Sequence, residues 1–479
     1  MTIADNRRWL ALYTLCLASL MIVLDATIVN VALPSIRQDL GFSETSLAWV
    51  VNAYLLTYGG LLLLGGRLGD LFGPRRLFLS GIALFTAASL LCGLSTSQGM
   101  LVAARAVQGV GGAIASAVSL ALTMTIFTEH GERAKAMGVF GFVAAGGGSI
   151  GVLLGGVLTD LLSWHWIFLV NVPIGALVVL LSLRLLPPTP GHATGRLDFG
   201  GALTVTAALM LAVYAIVNGN QNGWLSGETL GLLAGAAVLF AAFIALETRI
   251  AAPLVPLRLF RFRNLSVANS VGILWAAAMF AWFFLAALYL QFVLGYSPLQ
   301  VGLSFLPANL IMGTFALGLS AKLVMRFGFR IPVGVGLTLA AIGLGLFVRA
   351  PVGGSFLVDV LPSMILLGFG AGMAFNPVLL SAMSDVEPSE AGLASGIVNT
   401  SFMMGGALGL AVLVSVADSR TAHLAKSGHG HLPALTGGYH LAFAISALFA
   451  IVAATLGATL LKDRKAAPVA AARPAPAEV

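Results

Sequence analysis

The chain consists of long apolar runs separated by short polar breaks, and these breaks hold most of its charged residues. Each run approaches or exceeds the roughly 20 residues that an α-helix needs to cross a bilayer. The apolar residues are continuous rather than alternating, which excludes a transmembrane β-barrel. The pattern predicts fourteen membrane-spanning helices near 9–33, 47–66, 77–95, 100–121, 136–158, 165–186, 199–218, 227–247, 267–290, 300–321, 330–349, 356–383, 392–417 and 439–461.

The composition agrees with a polytopic membrane protein. Of the 479 residues, 59% are hydrophobic and 9% are charged, whereas soluble domains carry roughly 25% charged residues. These values exclude a soluble enzyme, a disordered chain and a secreted disulfide scaffold. Arg7 and Arg8 precede an apolar run that continues past Leu24 without a cleavage pattern, so we expect an uncleaved first span.

The positions of Lys and Arg predict how the helices are oriented. With both termini in the cytoplasm, the cytoplasmic segments hold 20 of these bases and the outer segments hold 4, while Arg105 lies inside a span. Cytoplasmic loops carry an excess of Lys and Arg, so we expect a multi-pass protein of the plasma (inner) membrane with both termini inside. This distribution explains the formal net charge of +7 without a nucleic-acid partner.

Breaks in the apolar pattern divide the predicted helices into six, two and six. A proline-rich stretch at 187–191 ends the first six helices, and a stretch with four arginines at 248–266 precedes the last six. We therefore predict an N-terminal half at 1–190, an inserted helix pair at 191–250, a C-terminal half at 251–465 and a disordered cytoplasmic tail at 466–479. Two related six-helix halves are typical of transporters.

Two charged residues lie within predicted spans, Asp25 in helix 1 and Arg105 in helix 4. A charge in hydrocarbon costs about 2.5–3.5 kcal/mol on insertion scales, so each suggests a functional site. At 1.5 Å per residue both lie in the outer half of the bilayer. A structural ion pair is one interpretation; the other is a proton-binding carboxylate at Asp25 that is tuned by Arg105.

Motifs spread along most of the chain resemble the fourteen-helix drug:proton antiporter branch of the major facilitator superfamily. They are LDATIVNVALP at 24–34, GRLGDLFGPRR at 66–76, RAVQG at 105–109, WHWIFLVNVPIG at 164–175, ASG at 394–396 and GGALG at 405–409. The resemblance implies the major facilitator fold, two six-helix bundles plus two inserted helices. It also implies alternating access and export of drugs or antibiotics in exchange for protons.

The motif at 66–76 resembles the family's signature loop between helices 2 and 3. The resemblance implies that Asp70 helps to close the two halves on the cytoplasmic side, near the start of helix 13. We accordingly predict a cytoplasmic gate formed by Gly66, Asp70, Gly73, Arg75 and Arg76. The glycines are expected to permit a tight turn there.

Helix 5 carries small residues that predict close helix packing, Gly147, Gly151, Gly155 and Gly156. They resemble the antiporter motif of the family, in which a proline follows the second of these glycines. Val152 occupies that position in this chain. The departure leaves a proton-coupled uptake symporter of the same fold as the alternative function.

A largely apolar cavity is predicted between the halves, suited to lipophilic small molecules. Lipid-facing packing is the other interpretation for its aromatic candidates. The residues predicted to line it are Asn30, Gln108, Trp275, Trp282, Phe283, Tyr289, Asn376 and Asn399.

Other chemistry finds little support in the sequence. There is no phosphate-binding Gly-x-x-x-x-Gly-Lys motif and no set of catalytic residues within the spans, so we expect a transporter driven by the proton gradient rather than an enzyme. A non-transporting membrane sensor or membrane enzyme is the competing class. No cofactor or metal is expected, because the two cysteines lie singly in apolar spans and the histidines near 423–440 fit a solvated loop. We expect a monomer in contact with membrane lipids.

Overall fold

The computed structural model describes residues 5–127, 129–188, 198–250, 253–387 and 390–463, and within these ranges the regular elements are all helical. The longer helices are labelled in chain order: α1 Asp5–Leu40, α2 Trp49–Phe72, α3 Pro74–Gly93, α4 Gln98–Ile126, α5 His130–Leu161, α6 Asn171–Leu185, α7 Phe199–Asn222, α8 Gly227–Arg249, α9 Arg263–Leu288, α10 Pro298–Thr314, α11 Arg330–Phe347, α12 Leu361–Met383, α13 Ala391–Lys426 and α14 His431–Leu460.

Short helical segments extend or connect these helices. α10 continues through a π-turn into a further short helix, so the helical stretch runs without a break from 298 to 327. The short segments are the one-turn helices Glu44–Leu47 and Trp166–Leu169, the 3-10 helix Leu257–Arg261, the π-turns Tyr289–Val293, Phe315–Leu319 and Phe356–Val360, and the helix Ser320–Phe327.

Twelve helical stretches in the described residues are long and apolar enough to cross a membrane. Two predicted spans lie outside this set, α5 and the stretch that begins with α10. The protein is therefore an all-helical membrane protein. The predicted tail at 466–479 and positions 189–191 of the proline-rich break lie outside the described residues.

The helices pack into two groups that contact each other through corresponding members. α1 packs on α5 and α6 while α4 packs on α2 and α3; in the C-terminal part, α9 packs on α13 and α14 while α11 packs on α12 and α14. Between the groups, the second helix of one meets the fifth of the other in both directions, as α2 with α13 and α5 with α10. The arrangement has the contact pattern of a two-fold repeat.

The helix pair α7–α8 lies beside the seam between the two groups. α7 packs along both α2 and α13, and Gly60 of α2 leaves room there for Thr206 of α7. α8 packs mainly on α7, and only 17% of its most apolar stretch is buried, against 72% for α1. An apolar helix this exposed faces lipid, because hydrocarbon does not penalise its side chains as water does.

The predicted glycine face of α5 is a packing surface. A Cβ at Gly151 or Gly155 would collide with α1, and at Gly155 it would lie 2.6 Å from the carbonyl oxygen of Ile28; at Gly147 it would be tightly packed, 3.0 Å from a Val23 methyl. A Cβ at Gly156 would lie 2.7 Å from the carbonyl oxygen of Pro298 at the start of α10. These glycines thus let α5 approach α1 and α10 with backbone against backbone.

The prediction of a loop over 66–76 is wrong for most of its length. α2 continues through Phe72, and only Gly73, at a φ of 91°, leaves the helical conformation before α3 begins at Pro74. Gly66 and Asp70 are therefore helical, because the polar residues at the end of α2 tolerate helix and only glycine reaches positive φ without strain. We call this end of the bundle, which carries Arg67, Arg75 and Arg76, the basic end.

The contact between α5 and α1 generates the first prediction. Gly155→Ala is expected to destabilise the protein by about 1–3 kcal/mol, because its Cβ meets backbone atoms that are unable to rotate away. Gly148→Ala is the matched control, since its Cβ meets only a Thr27 methyl at 3.9 Å and should change stability by less than about 0.5 kcal/mol. Unfolding of the purified variants in mixed detergent measures both. Equal effects would show that the two helices do not approach this closely.

Candidate functional site

Asp25 and Arg105 form an ion pair in the interior of the N-terminal helices. Arg105 Nη1 on α4 lies 2.5 Å from Asp25 Oδ2 on α1. The side chains are 1% and 0% exposed, respectively. The structure thus joins the two intramembrane charges that the sequence singles out.

The second oxygen of the Asp25 carboxylate is held by two amides. Asp25 Oδ1 accepts hydrogen bonds from Gln108 Nε2 at 2.7 Å and from Asn171 Nδ2 at 2.9 Å. Gln108 Nε2 also donates to Ser89 Oγ on α3 at 2.7 Å. Both carboxylate oxygens are therefore satisfied without water, as a buried charge requires.

Arg105 is held by contacts that position its guanidinium group. Its Nε donates to the Val50 carbonyl at 2.9 Å, and Nη1 also donates to Gln108 Oε1 at 2.7 Å. The guanidinium carbon lies 4.4 Å from the ring centre of Tyr54 and 5.6 Å from that of Phe168. Attraction between a cation and an aromatic face is stronger for a buried cation than for a solvated one, and the Arg105 side chain is buried.

This polar cluster is centred on the Asp25 carboxyl, and its partners come from several helices. The side chains of α1, α3, α4 and α6 meet at Asp25, and Arg105 extends the cluster to the backbone of α2. A proton on Asp25 would cancel the charge that attracts Arg105, and the ion pair would lose its main Coulomb attraction. Protonation of Asp25 would therefore weaken a contact that holds these helices together.

Four members of the cluster, Asn171, Phe168, Ser89 and Tyr54, are not among the predicted site residues. Asn171 and Phe168 lie within the family-like pattern at 164–175, and a lone Asn in an apolar span is a signal that could have identified Asn171. Ser89 and Tyr54 carry no comparable signal, because Ser satisfies itself on the helix backbone and Tyr is common in spans.

Two of the predicted cavity residues, Trp275 and Asn399, line one small cavity among α9, α12 and α13. Its volume is about 20 Å³, which is room for about one water molecule and far below the roughly 300–1,000 Å³ of ligand pockets. In this conformation it is too small for a drug-sized molecule. Its other lining residues are Gly272, Phe375, Val378, Leu379, Val398 and Phe402.

The aromatic candidates on α9 face protein rather than lipid. Trp282 and Phe283 are buried against Phe305 of α10, and the Tyr289 hydroxyl donates to the Pro351 carbonyl. Lipid-facing packing is thus wrong for these aromatics and for Trp275, which is 2% exposed.

The polar candidates for the cavity lie in different surroundings. Gln108 belongs to the Asp25 cluster instead of the cavity, because a residue three positions after Arg105 on a helix shares its face. Asn30 is buried and donates to the Thr27 carbonyl of its own helix. Asn376 is half-buried beside Phe375, one of the lining residues.

The predicted gate residues lie at the basic end, on the last turns of α2 and the first turn of α3. Asp70 and Arg76 are exposed, and Arg75 donates to the Leu183 carbonyl at the end of α6 at 2.7 Å. Nearby, Gly396 of α13 leaves room for Leu63 of α2. The end of α2 thus approaches the first turns of α13, the region where the gate was expected.

An all-helical membrane bundle with a buried charge cluster is the architecture of a membrane transporter rather than of an enzyme. Comparison with known sequences agrees with this class. The chain belongs to the Major Facilitator Superfamily, which it matches over residues 15–410.

Several relatives within this family are similar over most of the chain. The puromycin resistance protein pur8 of Streptomyces alboniger is 40% identical over 470 residues, covering 96% of this chain and 92% of the relative. The cephamycin export protein CmcT of Amycolatopsis lactamdurans is 40% identical over 86% of this chain and 85% of its own length. The multidrug resistance protein Stp of Mycobacterium tuberculosis is 38% identical over 86% and 76%.

A double-mutant cycle tests the energetic coupling of the ion pair. Arg105→Met alone is expected to cost about 3–5 kcal/mol, because it leaves a buried carboxylate unpaired. Asp25→Asn combined with Arg105→Met should cost less than the sum of the single variants, with a coupling of about 0.5–3 kcal/mol. Equilibrium unfolding in mixed detergent provides the four values.

The control for this cycle combines Arg105→Met with Glu129→Gln. Glu129 is exposed beyond the other end of α4, roughly 36 Å from Arg105 at 1.5 Å per residue. These two changes should add within about 0.5 kcal/mol. Additivity in the Asp25 cycle as well would contradict the pairing.

Proposed function

We propose that this protein exports lipophilic drugs or antibiotics in exchange for protons. The buried ion pair of Asp25 and Arg105 is the observation that carries the proposal, because an intramembrane carboxylate is the group that proton-driven transport requires. The relatives support the export direction, since they are named for antibiotic resistance or antibiotic export. Protons and a small lipophilic molecule are then the two ligands.

We further propose fourteen spans with both termini in the cytoplasm. The 32-residue length of α5 and the unbroken stretch at 298–327 support counting these two helices as spans, since about 20 residues suffice. The excess of bases at the basic end supports its assignment to the cytoplasm. The protein would act as a monomer, in which the halves at 1–190 and 251–465 move relative to each other around the inserted pair at 191–250.

Alternating access would open and close the contacts between the two halves. α2 with α13 and α5 with α10 are the helix pairs that join the halves, so rocking of one half on the other must separate one end of these pairs at a time. The small cavity at Trp275 and Asn399 would widen during this motion. Trp275 Nε1 is buried and has no hydrogen-bond partner among the described residues, so it is available to a ligand acceptor.

Proton entry supplies enough free energy for useful export. About 100 mV and about half a pH unit together provide about 3 kcal/mol per proton. This sustains a gradient of roughly 150-fold for a neutral substrate. One buried carboxyl at Asp25 is consistent with one proton per cycle, and no cofactor is needed.

Replacing Asp25 tests the proton-carrying role. Asp25→Asn keeps the shape of the side chain but carries no proton, so drug efflux from cells and substrate-induced proton movement in inside-out vesicles should both fall to background. Asp160→Asn is the matched control, because Asp160 is an exposed carboxylate at the end of α5. A pH-sensitive dye reports the proton movement, and a surviving response in Asp25→Asn would exclude this residue as the carrier.

The same vesicles distinguish export from uptake. Antiport predicts that adding substrate outside inside-out vesicles, whose lumen is acidic, releases protons from the lumen while the substrate enters. The alternative is a symporter of the same fold, for which Val152 in place of a proline is the specific observation. Movement of protons and substrate in the same direction would establish that alternative and reject the antiporter.

We also propose that Asp70 acts in the cytoplasmic gate. Asp70→Asn should reduce transport at least about tenfold yet change stability by less than about 0.5 kcal/mol, because the side chain is exposed. Glu129→Gln, an exposed carboxylate at the same end, is the control and should transport normally. Efflux assays and unfolding of the same preparations provide both values, and unchanged transport in Asp70→Asn would reject this role.

A further inference from the structure

Two acidic residues that belong neither to the Asp25 cluster nor to the gate meet at the basic end. Asp198 is the residue before α7, and Glu247 lies in the last turn of α8. They are 5% and 4% exposed. Acidic residues are almost never buried to this extent unless they are paired.

Each carboxyl group uses one oxygen to accept a backbone hydrogen bond. Asp198 Oδ1 accepts from the N–H of Gly201 at 2.6 Å, which caps the start of α7. Glu247 Oε2 accepts from the N–H of Val255 at 2.8 Å, in the connection between α8 and α9. These two bonds fix which oxygen of each group remains for its neighbour.

The remaining oxygens, Asp198 Oδ2 and Glu247 Oε1, face each other. Both are buried, and neither receives a hydrogen bond from a donor among the described residues. The two side chains lie within hydrogen-bonding reach of each other. Both oxygens also lie next to the Cα of Gly201, where a Cβ would collide with them.

Among the described residues, neither carboxyl forms a salt bridge with a basic side chain. Apart from Asp198, the groups that interact with the Glu247 carboxyl are the backbone N–H groups of Leu254 and Val255. From α2, the apolar side chains of Leu61, Leu64 and Leu68 pack around this junction. An ionised carboxylate can only accept hydrogen bonds, so two of them facing each other need a proton between them.

We propose that Asp198 and Glu247 share one proton, forming a proton-binding site separate from Asp25. The carboxyl that holds the proton donates to the carboxylate of the other, as in paired acids whose like charges prevent both from ionising. The site stands independently of the proposed export function, since it needs neither the Asp25 cluster nor a transported substrate.

The shared proton fastens the α8–α9 connection to the end of α2. Glu247 holds the connection through Val255, and Leu254 packs in one apolar cluster with Leu64 of α2 and Ala202 of α7. Loss of the proton leaves two buried negative charges, which repel each other and favour solvation. The α8–α9 connection should then detach from α2, close to the part of α2 that carries Asp70. The contact between the inserted pair and α2 is thus expected to depend on pH.

Amide substitutions test the shared proton, because their donors and acceptors fit the site in only one combination. In Glu247→Gln the amide oxygen can accept from Val255 while its N–H donates to Asp198. In Asp198→Asn the oxygen can accept from Gly201 while its N–H donates to Glu247. The combined variant places two N–H groups against each other, so both lose their acceptor.

The expected results follow from proton linkage. The folded wild-type protein holds a proton that the unfolded chain releases at neutral pH, so its melting temperature should fall as the pH rises. Each single amide variant should have the melting temperature of the wild type at low pH, and this temperature should not show the fall with rising pH that the shared proton causes. The combined variant should melt several degrees lower at every pH. Single variants that keep the wild-type pH dependence, or a combined variant as stable as the singles, would overturn the proposal.

Two further measurements separate a proton from other neutralising groups. The melting temperature should be the same in sodium chloride and in choline chloride. A higher melting temperature in sodium chloride would show that a bound sodium ion, and not a proton, neutralises the two carboxylates. Arg196 lies outside the described residues, so Arg196→Gln is tested in parallel and should leave the pH dependence intact. An ion pair with Arg196 would instead keep both carboxyls ionised, so the wild type would show no such fall in melting temperature and Arg196→Gln would create one; that result would reject the shared proton.

Hydrogen exchange reports directly on the connection. The Val255 amide of the wild type should exchange at least about tenfold faster, beyond the intrinsic change of rate, once the proton is lost. In Glu247→Gln it should stay protected over the same pH range. Equal protection of Val255 in the wild type at low and high pH would show that the proton does not fasten the connection.

Discussion

The cost of an isolated charge in an apolar interior governs the structure of the N-terminal helices. Asp25 and Arg105 each need an opposite charge and hydrogen bonds to remain buried. Each provides the opposite charge for the other, and the hydrogen bonds come from Gln108 of α4, Asn171 of α6 and the Val50 carbonyl of α2, while Ser89 of α3 holds Gln108. Few other arrangements of these helices would satisfy both charges, so the pair fixes their relative positions. The same requirement means that a proton on Asp25 would remove the charge with which Arg105 is paired.

Glycine contacts connect this cluster to the boundary between the two helix groups. α1 contacts Arg105 through Asp25 and contacts α5 through Leu24 and Ile28, the neighbours of that residue along the helix. On α5, Gly156 then meets the start of α10. Because the helix backbones are packed this closely, a shift of α1 is expected to move α5 as well. A contiguous set of contacts therefore runs from the buried carboxylate to one of the two helix pairs that join the groups.

The other joining pair, α2 with α13, has the inserted helices as its neighbour. α7 packs on both members, and the acid pair of Asp198 and Glu247 holds the α8–α9 connection beside α2. The exposed apolar surface of α8 gives this inserted pair a face for lipid, while its buried surface lies at the seam. The inserted pair is thus packed against both helix groups. Asp198 and Glu247 lie next to α2, so a movement of one group relative to the other would change their surroundings.

Residue patterns alone determined the helical membrane class, the family and the two charged residues at the centre of the site. Continuous apolar runs require helices in a bilayer, and a charge inside such a run is conspicuous. The course of residues 66–76 was mispredicted, because exposed polar residues are compatible with both helix and loop and only Gly73 ends the helix. Only the tertiary structure decided that Asn171, Ser89 and Tyr54 surround the ion pair, that Gln108 joins them, and that Asp198 faces Glu247. These are contacts between residues up to about 146 positions apart, and a helix pattern specifies which face a residue occupies but not which other helix that face will meet.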